Sequence, residues 1–155
     1  MIRLMRSSMN RSVPTSTLLA HIVCRNLLEA REWLSRVLGF SEHFHYGEPL
    51  RGIQMYLGDA FIMLSEPRDG GESPAVAGCR TQMLTVMVAD VDALFKRATE
   101  SGAKIWEELH ETVYGERQFG VEDPDGHRWL ISQHARDVDP QEWGATVVAP
   151  PIAYR

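Results

Sequence analysis

The histidines are the residues whose type and spacing could support metal or acid–base chemistry. His43 and His45 are separated by one residue, which places both imidazoles on one face if residues 40–46 form a regular strand. Two such rings could share a divalent ion, and the alternative is an exposed edge of a sheet. His21 belongs to a different apolar segment, where the alternative to a metal ligand is a hydrogen-bonded histidine.

Other reactive side chains give weaker signals. No Ser or Cys lies in a nucleophile-elbow sequence, and no glycine-rich phosphate loop is present. If residues 16–24 form a strand, Cys24 points to the same face as Ile22, and His21 points to the other face. We therefore expect Cys24 to pack beneath a helix. Several glutamates occur in the second half of the chain, and a solvated strand edge accounts for each of them: Glu107, Glu108, Glu111 and Glu122.

Composition excludes some classes of function. The chain has 155 residues, 44% of them hydrophobic and 24% charged, which suits one globular domain. A net charge of −5 without a long basic run argues against nucleic-acid binding. No apolar segment approaches membrane-spanning length, and two cysteines favour a reducing, cytoplasmic location. Residues 1–15 lack the apolar core of a signal peptide and are predicted to be a flexible lead.

Hydrophobic periodicity predicts one supersecondary unit in residues 16–65. A strand over 16–24 precedes a helix that ends at Gly39, and strands follow over 40–46, 53–57 and 60–65. The helix carries one apolar stripe at the spacing i, i+3, i+4, i+7 and i+8, made of Ala30, Trp33, Leu34, Val37 and Leu38.

The same order recurs after a linker over residues 66–80 that is rich in Gly and Pro. Residues 81–134 contain a strand, a helix capped by Asp90 and ended by Gly102, and three more strands. Residues 123–126 (Asp-Pro-Asp-Gly) predict the tight turn between the last two. The tail, residues 135–155, is apolar enough that we expect it to fold back on the domain or to cross to a partner subunit.

The predicted fold class is therefore α+β. Two βαβββ modules within one domain, residues 16–134, would form a curved, mostly antiparallel, cup-shaped sheet with the helices outside. The cup is the expected ligand site.

Four segments resemble the glyoxalase I, bleomycin-resistance and extradiol-dioxygenase superfamily, which has the vicinal oxygen chelate fold. They are residues 19–25 (Leu-Ala-His-Ile-Val-Cys-Arg), 33–40 (Trp-Leu-Ser-Arg-Val-Leu-Gly-Phe), 86–92 (Val-Met-Val-Ala-Asp-Val-Asp) and 121–129 (Val-Glu-Asp-Pro-Asp-Gly-His-Arg-Trp). The similarity covers roughly residues 16–134 with both modules in register. It identifies the fold well and the activity poorly, because this fold hosts many chemistries.

The resemblance implies four metal-ligand positions, one on the first and one on the last strand of each module. This sequence has His21, Met63, Met83 and Leu130 there, where metal-dependent relatives have His, Gln or Glu. One ligand of four does not hold a catalytic metal, so no cofactor is predicted. A slip of one residue would bring in Gln82, and a divalent metal therefore remains an alternative.

Strand alternation and position predict the residues that meet a ligand. Methionines on the inner face of the cup would suit a bulky apolar ligand, and aromatic rings would stack on a planar one. Trp106 and Phe119 could equally be core residues. Arg128 is the candidate anchor for an acidic or carbonyl group, unless it pairs with Glu122 or Asp123. The predicted ligand-binding residues are His21, Phe61, Met63, Met83, Met87, Trp106, Tyr114, Phe119, Arg128 and Leu130.

Two functions from different classes follow, and a third remains open. The first is metal-free binding of a small apolar or aromatic molecule, as in the bleomycin-resistance branch, whose members typically work as homodimers. The second is a metal-dependent lyase, isomerase or dioxygenase. The third is an enzyme of this fold that uses acid–base chemistry around His21. Neither nucleic acid nor a membrane is an expected partner.

Overall fold

The computed structural model describes residues 18–148 and confirms the two βαβββ modules. The chain divides into two compact units, Met1–Ser73 (unit 1) and Pro74–Arg155 (unit 2). The predicted N-terminal lead and the last part of the predicted tail, residues 149–155, lie outside the described residues.

Unit 1 contains a four-stranded sheet in the order β1-β4-β3-β2. Strand β1 runs parallel to β4, and the other neighbours are antiparallel. Its elements are β1 (Ala20–Val23), α1 (Leu27–Trp33) continuing as a π-helical turn (Leu34–Leu38), β2 (Ser41–Tyr46), β3 (Gly52–Leu57) and β4 (Ala60–Ser65).

Helix α1 begins and ends at the residues that the sequence favours. The Asn26 side chain accepts hydrogen bonds from the backbone N–H groups of Leu28 and Glu29, a cap worth about 1 kcal/mol. Gly39 ends the π-helical turn in the left-handed conformation, with φ of 80°. The predicted stripe is buried, so α1 covers one face of the sheet.

That covered face of unit 1 is the hydrophobic core predicted by alternation. Ile22, Ile62 and Leu64 from β1 and β4 are buried, as are Ile53 and Met55 from β3. Cys24 is also buried, as predicted, and its thiol contacts the carbonyl of Ile22 at 3.6 Å.

Unit 2 repeats the arrangement in the order β5-β8-β7-β6, again with one parallel pair, β5 and β8. The sheet is completed by two antiparallel pairings. Its elements are α2 (Pro74–Ala77), β5 (Leu84–Met87), α3 (Val91–Glu100), β6 (Lys104–Glu111), β7 (Glu116–Glu122), β8 (Arg128–His134) and a 3₁₀ turn (Pro140–Trp143).

Phe119 belongs to the core of unit 2, and its predicted ligand-binding role is wrong. It is fully buried and packs edge-on against Phe95 of α3, with the ring centroids 5.2 Å apart. It shares a face with Val121, and Trp129 is buried on the same side of the sheet. Alternation along β7 therefore points Phe119 toward α3, away from the opposite face.

The turn before β8 forms as the sequence predicts. The Gly126 N–H donates to the Asp123 carbonyl at 2.9 Å, closing a four-residue turn. The Asp123 carboxylate accepts from the backbone N–H groups of Asp125 and His127, and from Trp129 Nε1 at 3.0 Å. Burial is the main cause that raises the pKa of Asp123. This carboxylate thus ties the turn to the core.

The linker and tail contain local structure that their composition does not predict. Helix α2 lies within the predicted linker, and its Ala75 N–H donates to the Asp125 carbonyl. Directly after β8 the chain stays against the loop between β6 and β7, because the N–H groups of Ala135 and Arg136 both donate to the Gly115 carbonyl. Every helix in residues 18–148 is too short or too polar to cross a bilayer.

Candidate functional site

Each sheet has a second face, opposite its helix, that carries the predicted site residues. The unit 1 face, opposite α1, consists of His21, His43, Phe44, Gln54, Tyr56, Phe61 and Met63. The unit 2 face, opposite α3, consists of Thr85, Met87, Trp106, Gln118, Gly120, Glu122, Arg128, Leu130 and Ser132.

A β-bulge positions His43. The pairing of β2 with β3 is regular at Glu42 with Met55 and again at Phe44 with Gln54, so one extra residue lies between them. A bulge of this kind re-aims a side chain and breaks the alternation of faces. His43 consequently lies on the unit 1 face beside Phe44.

The same bulge shows that the prediction of one shared face for His43 and His45 is wrong. His45 pairs with Ile53 on the face that α1 covers, and its Nδ1 lies 2.5 Å from Glu42 Oε1. The contact with His45, followed by Arg31, lowers the pKa of Glu42. The two imidazoles face opposite sides of the sheet and share no metal.

His43 is oriented by a buried amide. Its Nδ1 lies 2.6 Å from Gln54 Oε1, and Gln54 is fully buried. Three aromatic rings surround the imidazole with centroids 5.2 to 6.4 Å away, each inclined steeply to it: Phe44, Phe61 and Tyr56. Tyr56 and Phe61 also stack on each other at 5.7 Å. Part of the unit 1 face is therefore an aromatic cluster around one histidine.

His21 lies on the unit 1 face next to Met63, as predicted. The two residues are register partners on β1 and β4, and Gln54 of β3 is the next partner in the row. His21 is exposed and makes no hydrogen bond to residues 18–148, in contrast to the hydrogen-bonded histidine that the sequence favoured. Two strands separate it from Phe44 of β2.

A second bulge positions Trp106 in unit 2. Ile105 pairs with Val121 and Glu107 with Gly120, which leaves Trp106 as the extra residue. Its ring lies across Gly120 so closely that any Cβ there would overlap Trp106 Cε2. In the pairing pattern Trp106 thus corresponds to His43, and both bulges bring a ring onto the face opposite the helix.

Arg128 lies over the ring of Trp106, with its guanidinium carbon 4.8 Å from the ring centroid. This distance is within the range of a cation–π contact. Arg128 Nε donates to Glu122 Oε2 at 3.3 Å, and its two Nη groups make no hydrogen bond to the described residues. The alternative pairing of Arg128 with Glu122 is therefore present; it engages Nε and leaves both Nη groups without a hydrogen bond to the described residues.

Glu122 holds three cations together on this face. Its carboxylate accepts from Lys104 Nζ at 2.8 Å and from Arg80 at 2.7 Å, in addition to Arg128. Burial opposes ionisation of Glu122, but the hydrogen bonds from Lys104 and Arg128 and the charge of Arg80 prevail and lower its pKa. Three positive charges share one negative charge, so the cluster carries a net positive charge.

Side-chain hydrogen bonds connect neutral and acidic groups along β6 and β7. Gln118 is buried, donates to Glu107 at 2.8 Å and accepts from the Tyr114 hydroxyl at 3.0 Å. Tyr114 also packs edge-on against Trp143 of the tail, with ring centroids 5.8 Å apart. Tyr114 thus lies on the loop between β6 and β7 and links Gln118 of the unit 2 face to Trp143 of the tail.

His134 fastens the start of the tail. Its Nε2 lies 2.9 Å from Asp137 and its Nδ1 3.4 Å from Glu116. These contacts, Asp137 first, raise the pKa of His134. Glu116 in turn accepts from the Ser132 hydroxyl at 3.2 Å, so this ion-pair cluster joins β7, β8 and the tail.

The remaining predicted residues of unit 2 divide into two groups. Met87 and Leu130 lie on the unit 2 face, as alternation predicts, with Met87 paired to Ser132 and 58% exposed. Met83 precedes β5, which begins at Leu84, and Thr85 is the register partner of Leu130. The predicted placement of Met83 on the strand is wrong, because pairing with β8 starts one residue later.

The residues at the superfamily's metal positions do not fit a divalent ion. The resemblance assigns these positions to His21, Met63, Met83 and Leu130. Met83 lies just before β5, and the residue of β5 that pairs with Leu130 is Thr85. Zinc, magnesium and manganese prefer imidazole, carboxylate and other oxygen ligands, which Met and Leu do not supply. Among the described residues, no three His, Cys, Asp or Glu side chains cluster as a metal site would require.

Sequence reasoning missed His43, Gln54 and Tyr56 on the unit 1 face. Alternation had assigned His43 to a pair with His45, and no Gly or Pro marks the bulge that separates them. A cleft of about 240 Å³ elsewhere in unit 1 contains none of the predicted residues; it is lined by Pro49, Leu50, Arg51, Glu66, Pro67 and Arg68.

The chain belongs to the Glyoxalase/Bleomycin resistance protein/Dioxygenase superfamily, whose family model matches residues 17–131. Among solved structures, TioX from Micromonospora sp. ML1 is similar with a TM-score of 0.65 and 28% identity, over 77% of this chain and 98% of TioX.

Two further structures share the fold at lower identity. A superfamily member from Sphaerobacter thermophilus has a TM-score of 0.63 and 21% identity, over 74% of this chain and 94% of its own. The genomically encoded fosfomycin resistance protein FosX from Listeria monocytogenes has a TM-score of 0.60 and 13% identity, over 84% of this chain and 98% of its own.

Curated relatives match a shorter segment. The uncharacterized protein Mb0911c of Mycobacterium bovis is 37% identical over 75 residues, which are 47% of this chain and 49% of that protein. The uncharacterized protein Rv0887c of Mycobacterium tuberculosis is also 37% identical over 75 residues, covering 47% of this chain and 44% of its own. The chain thus spans about half the length of the curated relatives it matches.

Proposed function

We propose that the protein binds a small apolar or aromatic molecule without a metal ion, in the manner of the bleomycin-resistance branch. The observation that carries this proposal is the chemistry at the family's ligand positions. Met63 and Leu130 hold two of the positions that the resemblance assigns to metal ligands, with His21 the register partner of Met63 and Thr85 that of Leu130. A thioether and a hydrocarbon in these places favour contact with apolar ligand surface over coordination of a hard cation.

The unit 2 face supplies groups that suit a planar ligand with an acidic or carbonyl oxygen. The Trp106 ring and the Arg128 guanidinium form a stacked pair beside Leu130. Trp106 Nε1 is buried and has no hydrogen-bond partner among residues 18–148. An unpaired buried donor costs about 1–3 kcal/mol, so a ligand oxygen that reached it would relieve that cost.

A calorimetric titration with 1-naphthoate tests the proposal. This probe combines two fused aromatic rings with one carboxylate. We expect it to bind equally well before and after treatment of the protein with EDTA. Binding that requires a restored divalent ion would support the alternative, a metal-dependent lyase, isomerase or dioxygenase. If 1-naphthoate binds under neither condition, the proposed function is wrong for this class of ligand.

We also propose that the protein is a homodimer, as members of the bleomycin-resistance branch typically are. Sedimentation equilibrium of the full-length chain measures its mass directly. A monomer at all accessible concentrations would contradict this part of the proposal and leave the ligand chemistry untouched.

A further inference from the structure

We infer that His43 is a hydrogen-bond acceptor for the ligand, so that the unit 1 face selects an aromatic ring bearing a hydroxyl or N–H donor. This inference rests on the proposed function, because it assumes an aromatic ligand. It adds that the ligand must carry a hydrogen-bond donor. It assigns recognition of that donor to His43, which lies outside the family's metal positions.

The orientation of the imidazole carries the inference. His43 Nδ1 lies 2.6 Å from Gln54 Oε1, and an amide oxygen only accepts; the tautomer that makes this hydrogen bond carries its proton on Nδ1 and a lone pair on Nε2. Gln54 is fully buried and belongs to the central strand β3, which prevents it from rotating out into water. His43 Nε2 makes no hydrogen bond to the described residues.

The rings around the His43 imidazole favour an aromatic partner. Phe44, Tyr56 and Phe61 lie with their ring centroids 5.2 to 6.4 Å from the imidazole. Edge-on contacts of this type are favourable between aromatic rings. A planar ligand that donates to Nε2 would place its own ring among these three.

Charge distinguishes this face from the unit 2 face. None of the residues that define the unit 1 face is Lys, Arg, Asp or Glu, and Glu42 is turned to the opposite side with His45. A neutral acceptor among neutral rings suits a neutral donor such as a phenol or an indole N–H. A carboxylate would meet the lone pair of Nε2 without a proton to share, and Arg128 is the group suited to it.

A pair of matched probes tests the inference in the full-length protein. 1-Naphthol has the donor, and 1-methoxynaphthalene has the same rings without it. We expect 1-naphthol to bind about 3- to 10-fold more tightly in calorimetric titration, the range that one neutral hydrogen bond provides. His43→Phe keeps an aromatic ring at this exposed position and should remove the difference between the probes. His45→Phe, on the opposite face, should leave it unchanged.

A spectroscopic measurement separates a hydrogen bond from a structural effect of the substitution. In protein labelled with ¹⁵N-histidine, 1-naphthol should shift the His43 Nε2 resonance, and 1-methoxynaphthalene should not. Equal affinity for the two probes with an unmoved Nε2 resonance would overturn this inference alone. If neither of these probes binds while 1-naphthoate does, this inference alone is overturned. If none of the three binds, the proposed function is overturned with it.

Discussion

Trp106 lies across Gly120, and the contact leaves no room for a side chain at position 120. The requirement is steric, since Gly120 pairs regularly with Leu130 of β8 and the three atoms nearest to an added Cβ all belong to the Trp106 ring. Tyr46 covers Gly52 in the same way in unit 1, where an added Cβ would lie 2.8 Å from Tyr46 Cζ. In both sheets an aromatic ring from the edge strand thus covers a glycine of the next strand.

Gly120→Ala should therefore displace the Trp106 ring and, with it, the support of Arg128. We expect a loss of about 1–3 kcal/mol in the free energy of unfolding, the usual cost of overpacking, measured by urea denaturation. Binding of 1-naphthoate should weaken as well, because the stacked pair of Arg128 and Trp106 would be disrupted.

A double substitution isolates the contact. Trp106→Ala removes the ring, so adding Gly120→Ala to it should cost much less stability than Gly120→Ala alone. Additive losses in the double variant would mean that the alanine acts through another neighbour.

Arg128→Met should weaken binding of an anionic ligand more than binding of a neutral one. The substitution keeps an apolar stem over Trp106 and removes the charge, so 1-naphthoate should bind about tenfold or more weakly, while 1-naphthol changes little. Arg117→Met is the matched control, because Arg117 pairs with Asp92 on the side of the sheet that α3 covers. Equal effects of the two substitutions on 1-naphthoate would argue against Arg128 as the anchor.

Glu122→Gln should destabilise unit 2 at neutral pH, because three cations lose their shared negative charge. Glu122 is buried, and hydrogen bonds to a charged group contribute about 1.5–3 kcal/mol, so we expect a loss of that order in urea denaturation. The exposed chains of Lys104 and Arg80 place the effect at the lower end of this range.

The contribution of Glu122 to the free energy of unfolding should decrease as the pH falls. Its pKa is lower in the folded protein than the ordinary value of 4.5. Its contribution is therefore fully present above pH 4.5 and is lost as the pH falls through the folded-state pKa. The stability difference between wild type and Glu122→Gln should shrink below about pH 4.5. A difference that stays constant down to the acid unfolding transition would contradict this assignment.

His134 should show the opposite dependence. Contacts with Asp137 and Glu116 raise its pKa above the ordinary value of 6.5, so its stabilisation is complete below pH 6.5 and is lost as the pH rises through the folded-state pKa. Hydrogen exchange at the N–H groups of Ala135 and Arg136, which bond to Gly115, should accelerate over that rise relative to the intrinsic rate. Asp137→Asn should lower the midpoint of the change, and an unshifted midpoint would show that Asp137 does not hold the imidazolium.

The repeated fold was predictable because each module carries a periodic helix, a terminal glycine and alternating strands. Alternation also placed Met63, Met87 and Leu130 on the correct faces. It failed at His43, because a bulge inserts one residue into β2 without a Gly or Pro to mark it. Beyond the bulge, the alternation of side chains between the two faces is shifted by one residue. Phe119 was misplaced because aromatic composition alone does not distinguish a core ring from a ligand platform.

The cluster around Glu122 could not be predicted for a different reason. Arg80 lies 42 residues before Glu122 in the chain, and its guanidinium reaches the carboxylate only because the linker folds against the turn at Gly126. Such a contact depends on tertiary packing that no local pattern encodes. The sequence offered Arg128 and Glu122 as partners, and the structure adds Lys104 and Arg80.

The metal content of untagged protein, purified without chelators and measured by elemental mass spectrometry, tests the central claim most directly. His21 beside Met63, and Thr85 beside Leu130, predict a content of divalent ions far below stoichiometric. A stoichiometric divalent ion that survives gel filtration would contradict the account and make the metal-dependent enzyme the better hypothesis, with His21 the first residue to substitute.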